Sequence, residues 1–241
     1  MTVLTHAIVL AAGLGIRMQP ITNNLPKPLV QVLHKPLIDY SLERLESAGV
    51  SQVVVNAHYL SEQIEAHLAD RREIRVSHEA QRLETGGGVA NALHLLGKKA
   101  FFVLNSDALW IDGPTPALDR LAAAWNEKQM DALLLLQPTS RLIHYSGLGD
   151  FHLNTDNQAH RRTENQVAAF IFAGVQILHP RLFSKAPGGS FSLNILYDKA
   201  EESERLFAIV HDGDWYHVGT PEELKVVEET MVRGNIATNS R

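Results

Sequence analysis

Apolar residues recur along the first 136 positions in two alternating patterns. Ala7–Ala11, Val53–Val55, Ala100–Leu104 and Ala132–Leu136 are short unbroken apolar runs, the pattern of strands buried on both faces. Between them lie helical periods. Pro36–Ala48 places Ile38, Leu42, Leu45 and Ala48 on one stripe, with Pro36 in the first turn and Gly49 as terminator. Ser61 is read as the cap of a helix carrying Ile64 and Leu68. A short strand is expected at Arg75–Ser77. A helix is read from Val89 to Leu96, closed by Gly97, and Gly86–Gly88 ahead of it is also compatible with ordinary turn chemistry. A further helix spans about Thr115 to Lys128, with Pro116 in its first turn.

From Tyr145 to Val175 the texture changes to short alternating segments broken by Asn154, Asp156 and Asn157, which read as antiparallel hairpins. Ser192–Glu202 reads as helix and Leu206–Val210 as strand. Thr220-Pro221-Glu222-Glu223 carries the start signals of a last helix, and residues 234–241 are expected to fray. The fold class is α/β: a Rossmann-like, mixed, mostly parallel sheet covered by helices on both faces, with a smaller antiparallel region. One domain is expected over 1–241. Its parts are a nucleotide-binding part to about 140, an acceptor-binding part over about 141–220 and a C-terminal helix at 221–233. Ligands of such sheets bind at the carboxyl ends of the strands, so the loops after Ala11, Asn56 and Leu104 are expected to face the site.

Composition narrows the function. No apolar run reaches the length of a membrane span, and the first six residues lack the pattern of a secretory leader. The chain has no cysteine, which excludes disulfides, thiolate zinc sites and a cysteine nucleophile and fits a cytoplasmic location. A net charge of −5 argues against nucleic acid as a partner. Residues 1–38, however, hold Arg17, Lys27 and Lys35 and no Asp or Glu. A basic, carboxylate-free segment in an acidic chain points to an anion site.

That segment contains Leu10-Ala-Ala-Gly13-Leu-Gly15-Ile-Arg17-Met18 directly after the first strand. Glycines let backbone N–H groups approach a phosphate, and Arg17 adds a bidentate donor. Pro26-Lys27-Pro28 presents Lys27 from a stiffened backbone. A dinucleotide fingerprint is excluded: Met18 stands at the third glycine, and Asn56-Ala57-His58 supplies no acid after the second strand. No Walker lysine motif occurs. Asn105-Ser106-Asp107 follows another strand, where a carboxylate can hold Mg²⁺.

The run Leu10–Met18 with Pro26–Leu29, continued by Glu84-Thr-Gly-Gly-Gly88, the Asp107 loop and Val218-Gly-Thr-Pro-Glu222, resembles the sugar-1-phosphate nucleotidyltransferase (sugar-nucleotide pyrophosphorylase) family over nearly the whole chain. The resemblance implies transfer of a nucleotidyl group from a nucleoside triphosphate to a sugar 1-phosphate, with release of pyrophosphate. It assigns Leu10, Ala11, Ala12, Gly13, Gly15, Arg17, Lys27, Glu84, Thr85 and Gly86 to the nucleotide. Arg17, Lys27 and Asp107 become the catalytic residues, and Gly149, Glu164, Gly174 and Asn194 the sugar contacts. UTP with N-acetylmuramate 1-phosphate is the favoured pair, and mannose 1-phosphate with GTP the alternative.

The metal site departs from the family pattern. Asp107 is the expected Mg²⁺ ligand, with Ser106 where a glycine is usual. A second carboxylate is expected in a Trp-x-Asp pattern, and Trp215-Tyr216-His217 supplies His217 instead. Three readings are open. His217 ligates a softer ion such as Mn²⁺ or Co²⁺; Asp212 or Asp214 substitutes; or Asp107 alone holds Mg²⁺ with waters and phosphates, the preferred reading. A metal-dependent glycosyltransferase leaves the Arg17–Lys27 signature unexplained, and His217 is the one feature that favours an inactive nucleotide-sugar sensor. No hexapeptide repeat is present, so an added acyltransferase activity is not expected.

Overall fold

The computed structural model describes residues 3–142 and 145–238. The chain runs β1 (His6–Leu10), a small hairpin of β2 (Gln31–Val32) and β3 (Lys35–Pro36), α1 (Leu37–Ser47), β4 (Gln52–Ala57), α2 (Ser61–Leu68), β5 (Ile74–His78), α3 (Glu84–Leu96), β6 (Phe101–Asn105) and β7 (Leu109–Ile111). It continues with α4 (Ala117–Ala124), β8 (Ala132–Pro138), β9 (Phe151–Leu153), β10 (Ala159–Arg161), β11 (Phe170–Leu178), α5 (Asn194–Glu202), β12 (Leu206–Val210), β13 (Asp214–Tyr216) and α6 (Pro221–Thr238).

β1 lies at the centre of a nine-stranded sheet, parallel to β4 on one side and β6 on the other, with β5 parallel outside β4. β11 runs antiparallel to β6 and to β8, and β12 closes that end parallel to β8. The β9–β10 hairpin joins at the start of β11, where Phe170 faces Phe151. The mixed, mostly parallel sheet and the antiparallel addition are as the sequence pattern implies.

The apolar runs are unbroken because both faces of the sheet are covered. In β6, Phe102 and Leu104 enter one core, with Ile38, Leu45, Ile64 and Leu121 of α1, α2 and α4. Phe101 and Val103 enter the other, with Val89 and Leu96 of α3 and Leu196 of α5. Each such side chain, removed fully from water, contributes about 1.5–3 kcal/mol. A third cluster packs Val227 of α6 against Met18, Val30 and Leu37, so the last helix braces the segment that carries the glycine loop.

Four boundaries differ from the sequence reading. Pro36 belongs to β3 and precedes α1. Ser61 is the first residue of α2 rather than its cap; Leu60 precedes it in a left-handed conformation. α4 is shorter than expected and ends before the buried Trp125. α3 begins at Glu84, so Gly86–Gly88 lie inside the helix and not in a turn before it. The cause is tertiary: the N–H groups of Gly86 and Gly87 donate to Phe191 O at 2.9 and 3.1 Å, which caps the helix from a distant segment.

The start of α6 is as read. Glu223 N–H donates to Thr220 Oγ1 at 3.2 Å, and Glu223 Oε2 accepts from Gly219 N–H at 2.9 Å. The helix continues past 233 to Thr238, and the end of the tail expected to fray, 239–241, lies outside the described residues. Among the described residues, no helix is long and apolar enough to cross a membrane.

Candidate active site

The carboxyl ends of β1, β4 and β6 converge. Ser106 N–H donates to Leu10 O at 3.1 Å, and Ala11 N–H donates to Asn56 Oδ1 at 2.8 Å. The loops after β1, β4 and β6 therefore meet, as expected of this topology. The Ala11 N–H is spent on Asn56, so it is not a donor for a bound phosphate. Gly15 turns the following loop at φ +66, and its carbonyl accepts from Met18 N–H and from Thr22 Oγ1 at 2.8 and 2.7 Å. Met18 is buried beneath, and Arg17 is left exposed on the cleft wall.

Lys27 opens a single 3₁₀ turn, Lys27–Leu29, set by the flanking prolines. Its ammonium forms an ion pair with Asp107 Oδ2 across 80 residues of sequence. The lysine side chain is 14% exposed and that of Asp107 34%, so the carboxylate keeps a solvent-facing side. Asp107 also lines an open cleft of about 780 Å³ with Arg17, Arg141, Gly174, Trp215 and His217. Arg141 was not singled out in the sequence. Gly174 sits at an irregularity in β11, between Phe172 and Gln176, against Asn105 and Ala108. The neighbouring carbonyl, Ala173 O, accepts from Trp215 Nε1 at 2.9 Å.

His217 reaches this cleft because β13 pairs antiparallel with β7, just after Asp107. His211 secures that pairing. Its Nε2 lies 3.1 and 3.2 Å from the carbonyls of Ile111 and Asp214, so Nε2 carries the proton, and burial pushes the imidazole below its ordinary value. The ring of His217 stacks on Trp215 at 5.9 Å, and its Nε2 lies 3.6 Å from Glu223 Oε2. Asp212 is held by Arg120 at 2.8 Å, whereas Asp214 lines the cleft. Among the described residues, no three His, Asp or Glu side chains are assembled as a ready metal cage.

A second cleft, of about 380 Å³, holds Glu164 and Asn194 together with Asp150, Arg161, Arg162 and Tyr197. Asp150 and Phe172 line both clefts, so the two adjoin. Gly149 stands at the margin with both backbone groups engaged. Its N–H donates to Tyr145 Oη at 2.9 Å and its carbonyl accepts from Arg162 Nε at 2.7 Å. Arg161 and Arg162 are half-buried: Arg161 pairs with Asp198, and Arg162 also donates to the carbonyls of Thr163 and Glu164. A helix N-terminus joins the two halves, since Thr85 Oγ1 accepts from Leu193 N–H at 3.0 Å, one residue before α5. Thr85 and Gly86 thus spend hydrogen-bonding groups on the 191–193 segment.

The first cleft sets Arg17 and Arg141 beside Asp107, and the adjoining one sets Arg161 and Arg162 beside Glu164 and Asn194, so each offers cations to a phosphate-bearing ligand. The molecule is thus an α/β protein with a charged site at the carboxyl ends of its strands. Residues 6–147 match the family model described as Nucleotidyl transferase. The chain is 41% identical over 232 residues to N-acetylmuramate alpha-1-phosphate uridylyltransferase of Caulobacter vibrioides, covering 93% of this chain and 96% of that one. It is 35% identical to the protein of the same name from Neisseria meningitidis, over 91% of this chain and 95% of that one. A crystal structure of UDP-glucose pyrophosphorylase complexed with UDP-glucose superposes with a TM-score of 0.77 at 19% identity, over 96% of this chain and 99% of that one. The chain belongs to the nucleotidyl transferase family, whose members are enzymes that move a nucleotidyl group onto a sugar 1-phosphate and generally use a divalent cation.

Proposed function

We propose that this protein transfers the uridylyl group of UTP to N-acetylmuramate 1-phosphate in the cytoplasm, forming UDP-N-acetylmuramate and pyrophosphate. The observation that carries the reaction is the Lys27–Asp107 pair at the joined carboxyl ends of β1 and β6, beside Arg17. The substrates follow the two relatives named above. Residues to about 140 serve the nucleotide, about 141–220 the acceptor, and α6 braces the glycine loop.

A phosphate oxygen of the acceptor attacks the α-phosphorus; the bond to the β-phosphate oxygen breaks and pyrophosphate leaves. The nucleophile is already ionised at neutral pH, so no general base is needed. Lys27 and Arg17 neutralise charge building on the phosphates, and the Ala12–Gly15 backbone lets the triphosphate approach closely. Glu164, Asn194 and Gly174 face the sugar. Glu84 stands at the start of α3 with φ +60, a strained conformation for a side-chain-bearing residue, next to the nucleotide segment.

The site fits a hard cation. Asp107 is a partly exposed carboxylate whose one ion-pair partner among the described residues, Lys27, can turn to phosphate instead. Mg²⁺ needs only one or two carboxylates when substrate phosphates and waters complete its shell. Bound there, it supplies Lewis-acid charge neutralisation. His217, braced by Trp215 and Glu223, is assigned to packing at the cleft wall. His217→Asp is then expected to leave the ratio of Mg²⁺- to Mn²⁺-supported rates unchanged within about twofold. A clear swing towards Mg²⁺ in that variant would return His217 to the metal.

The test of the reaction is pyrophosphate release. Release is expected only with both UTP and N-acetylmuramate 1-phosphate present, and it stops when the cation is chelated. Nucleotide binding without release under any substrate pair marks an inactive sensor. Release of UDP from a nucleotide sugar marks a glycosyltransferase.

A further inference from the structure

Glu79 is 5% exposed, and among the described residues no cation pairs with it. Its carboxylate accepts two donors from two segments. Asn56 Nδ2 donates to Oε1 at 2.6 Å, and Leu83 N–H donates to Oε2 at 2.9 Å. The other end of the Asn56 amide accepts the Ala11 N–H. We propose that Glu79 is a positioning residue that fixes the loop after β1 against the start of α3, and thereby sets affinity for the nucleoside triphosphate. The inference rests on the reading of those two segments as nucleotide-facing.

The chemistry of the three groups leaves one arrangement. A carboxylate offers only acceptors, so Asn56 must present its NH₂ to Glu79 and its oxygen to Ala11. Reversal of the amide would set oxygen against oxygen and leave the buried Ala11 N–H without an acceptor, a costly outcome in low dielectric. The register of β4 with β5, Asn56 opposite Ser77 and Ala57 opposite His78, brings the ends of these strands side by side. His58 Nδ1, at 2.8 Å from Glu79 O, holds the backbone there. Gly88 of α3 permits the contact: a Cβ on it would stand 2.6 Å from Asn56 Nδ2 and 2.7 Å from Glu79 Oε1. One carboxylate thus joins the loop after β1, the end of β4, the turn after β5 and the first turns of α3. None of its atoms is assigned to substrate.

A polarity swap tests this. Glu79→Gln has one acceptor oxygen where two donors arrive, so its NH₂ must oppose either Asn56 or Leu83. Adding Asn56→Asp reverses the pair: the introduced carboxylate accepts from Ala11 N–H and from the glutamine NH₂, while the glutamine oxygen accepts from Leu83 N–H. All three hydrogen bonds return, with donor and acceptor exchanged only between positions 56 and 79. UTP binding is measured by calorimetry with Mg²⁺ and no acceptor, and turnover separately. Glu79→Gln is expected to weaken UTP about tenfold, with kcat and the acceptor KM within about twofold of native. The double variant is expected within about threefold of native UTP affinity.

UTP affinity unchanged in Glu79→Gln, or no recovery in the double variant, overturns the proposal. So does a loss that falls equally on kcat, UTP and acceptor, the mark of general loosening. If Glu79→Gln does not fold, the double variant decides alone: folded with near-native UTP affinity it supports the proposal, and unfolded it overturns it. Failure of the native protein to bind UTP or any other nucleoside triphosphate is a different result, which removes the nucleotide reading itself.

Discussion

Lys27→Ala and Arg17→Ala are each expected to lower kcat/KM for pyrophosphate release by at least about 10²-fold, equivalent to about 2.7 kcal/mol of lost transition-state stabilisation. The two cations stand on a segment without a single carboxylate through residue 38, so their charge is not cancelled locally. The counter-charge comes from Asp107, across the sheet. When a triphosphate and Mg²⁺ arrive, each anion and cation of that pair exchanges its partner for a substrate or metal partner. Lys27→Ala therefore removes a phosphate contact and also leaves Asp107 unpaired in the free protein. Asp107→Asn, which keeps the shape but loses the charge, is expected to stay inactive at ordinary Mg²⁺ concentrations. The check is steady-state pyrophosphate release across a Mg²⁺ titration. Near-native rates in both cation variants would remove the phosphate site from this loop.

The sequence shows this end of the molecule well because its determinants are local. Strands buried on both faces leave unbroken apolar runs, and the glycines, prolines and cations of the loop lie within 18 residues of one another. What it hides depends on distant partners. The helical state of Gly86–Gly88 needs Phe191 O, about a hundred residues later, and no turn propensity reports that. Asn56 and Glu79 are visible only once β4 and β5 are in register. The three-residue strands β7 and β13 are too short to carry a period, yet their pairing brings His217 to the cleft of Asp107. Arg161 and Arg162 look like ordinary solvated charges in the sequence. Their half-burial follows from the folding of the β9–β10 region against α5.

Those arginines bear on the acceptor, for which N-acetylmuramate 1-phosphate is expected to be preferred over mannose 1-phosphate by at least about 10³-fold in kcat/KM. The two acceptors differ by an N-acetyl group and a lactyl carboxylate. A site that holds the first needs an amide partner and a place for an anion. The second cleft offers both. Asn194 can pair with the amide, and it lines the same cleft as Arg161 and Arg162. The arginines are not equivalent. Arg161 is neutralised by Asp198, whereas Arg162 meets the carbonyls of Gly149, Thr163 and Glu164, which take its N–H groups but not its charge. Among the described residues no carboxylate pairs with Arg162, so its field is available to an acceptor carboxylate. The glycine loop cannot make this discrimination, because every nucleoside triphosphate and every sugar phosphate presents the same phosphates. Mannose 1-phosphate leaves the amide and carboxylate partners unmatched, and a site built to hydrogen-bond such groups discriminates strongly against an analogue that lacks them. The measurement is kcat/KM for each acceptor with UTP, GTP and dTTP in turn. Mannose 1-phosphate used with GTP as well as or better than N-acetylmuramate 1-phosphate with UTP would overturn the substrate pair and leave nucleotidyl transfer itself standing.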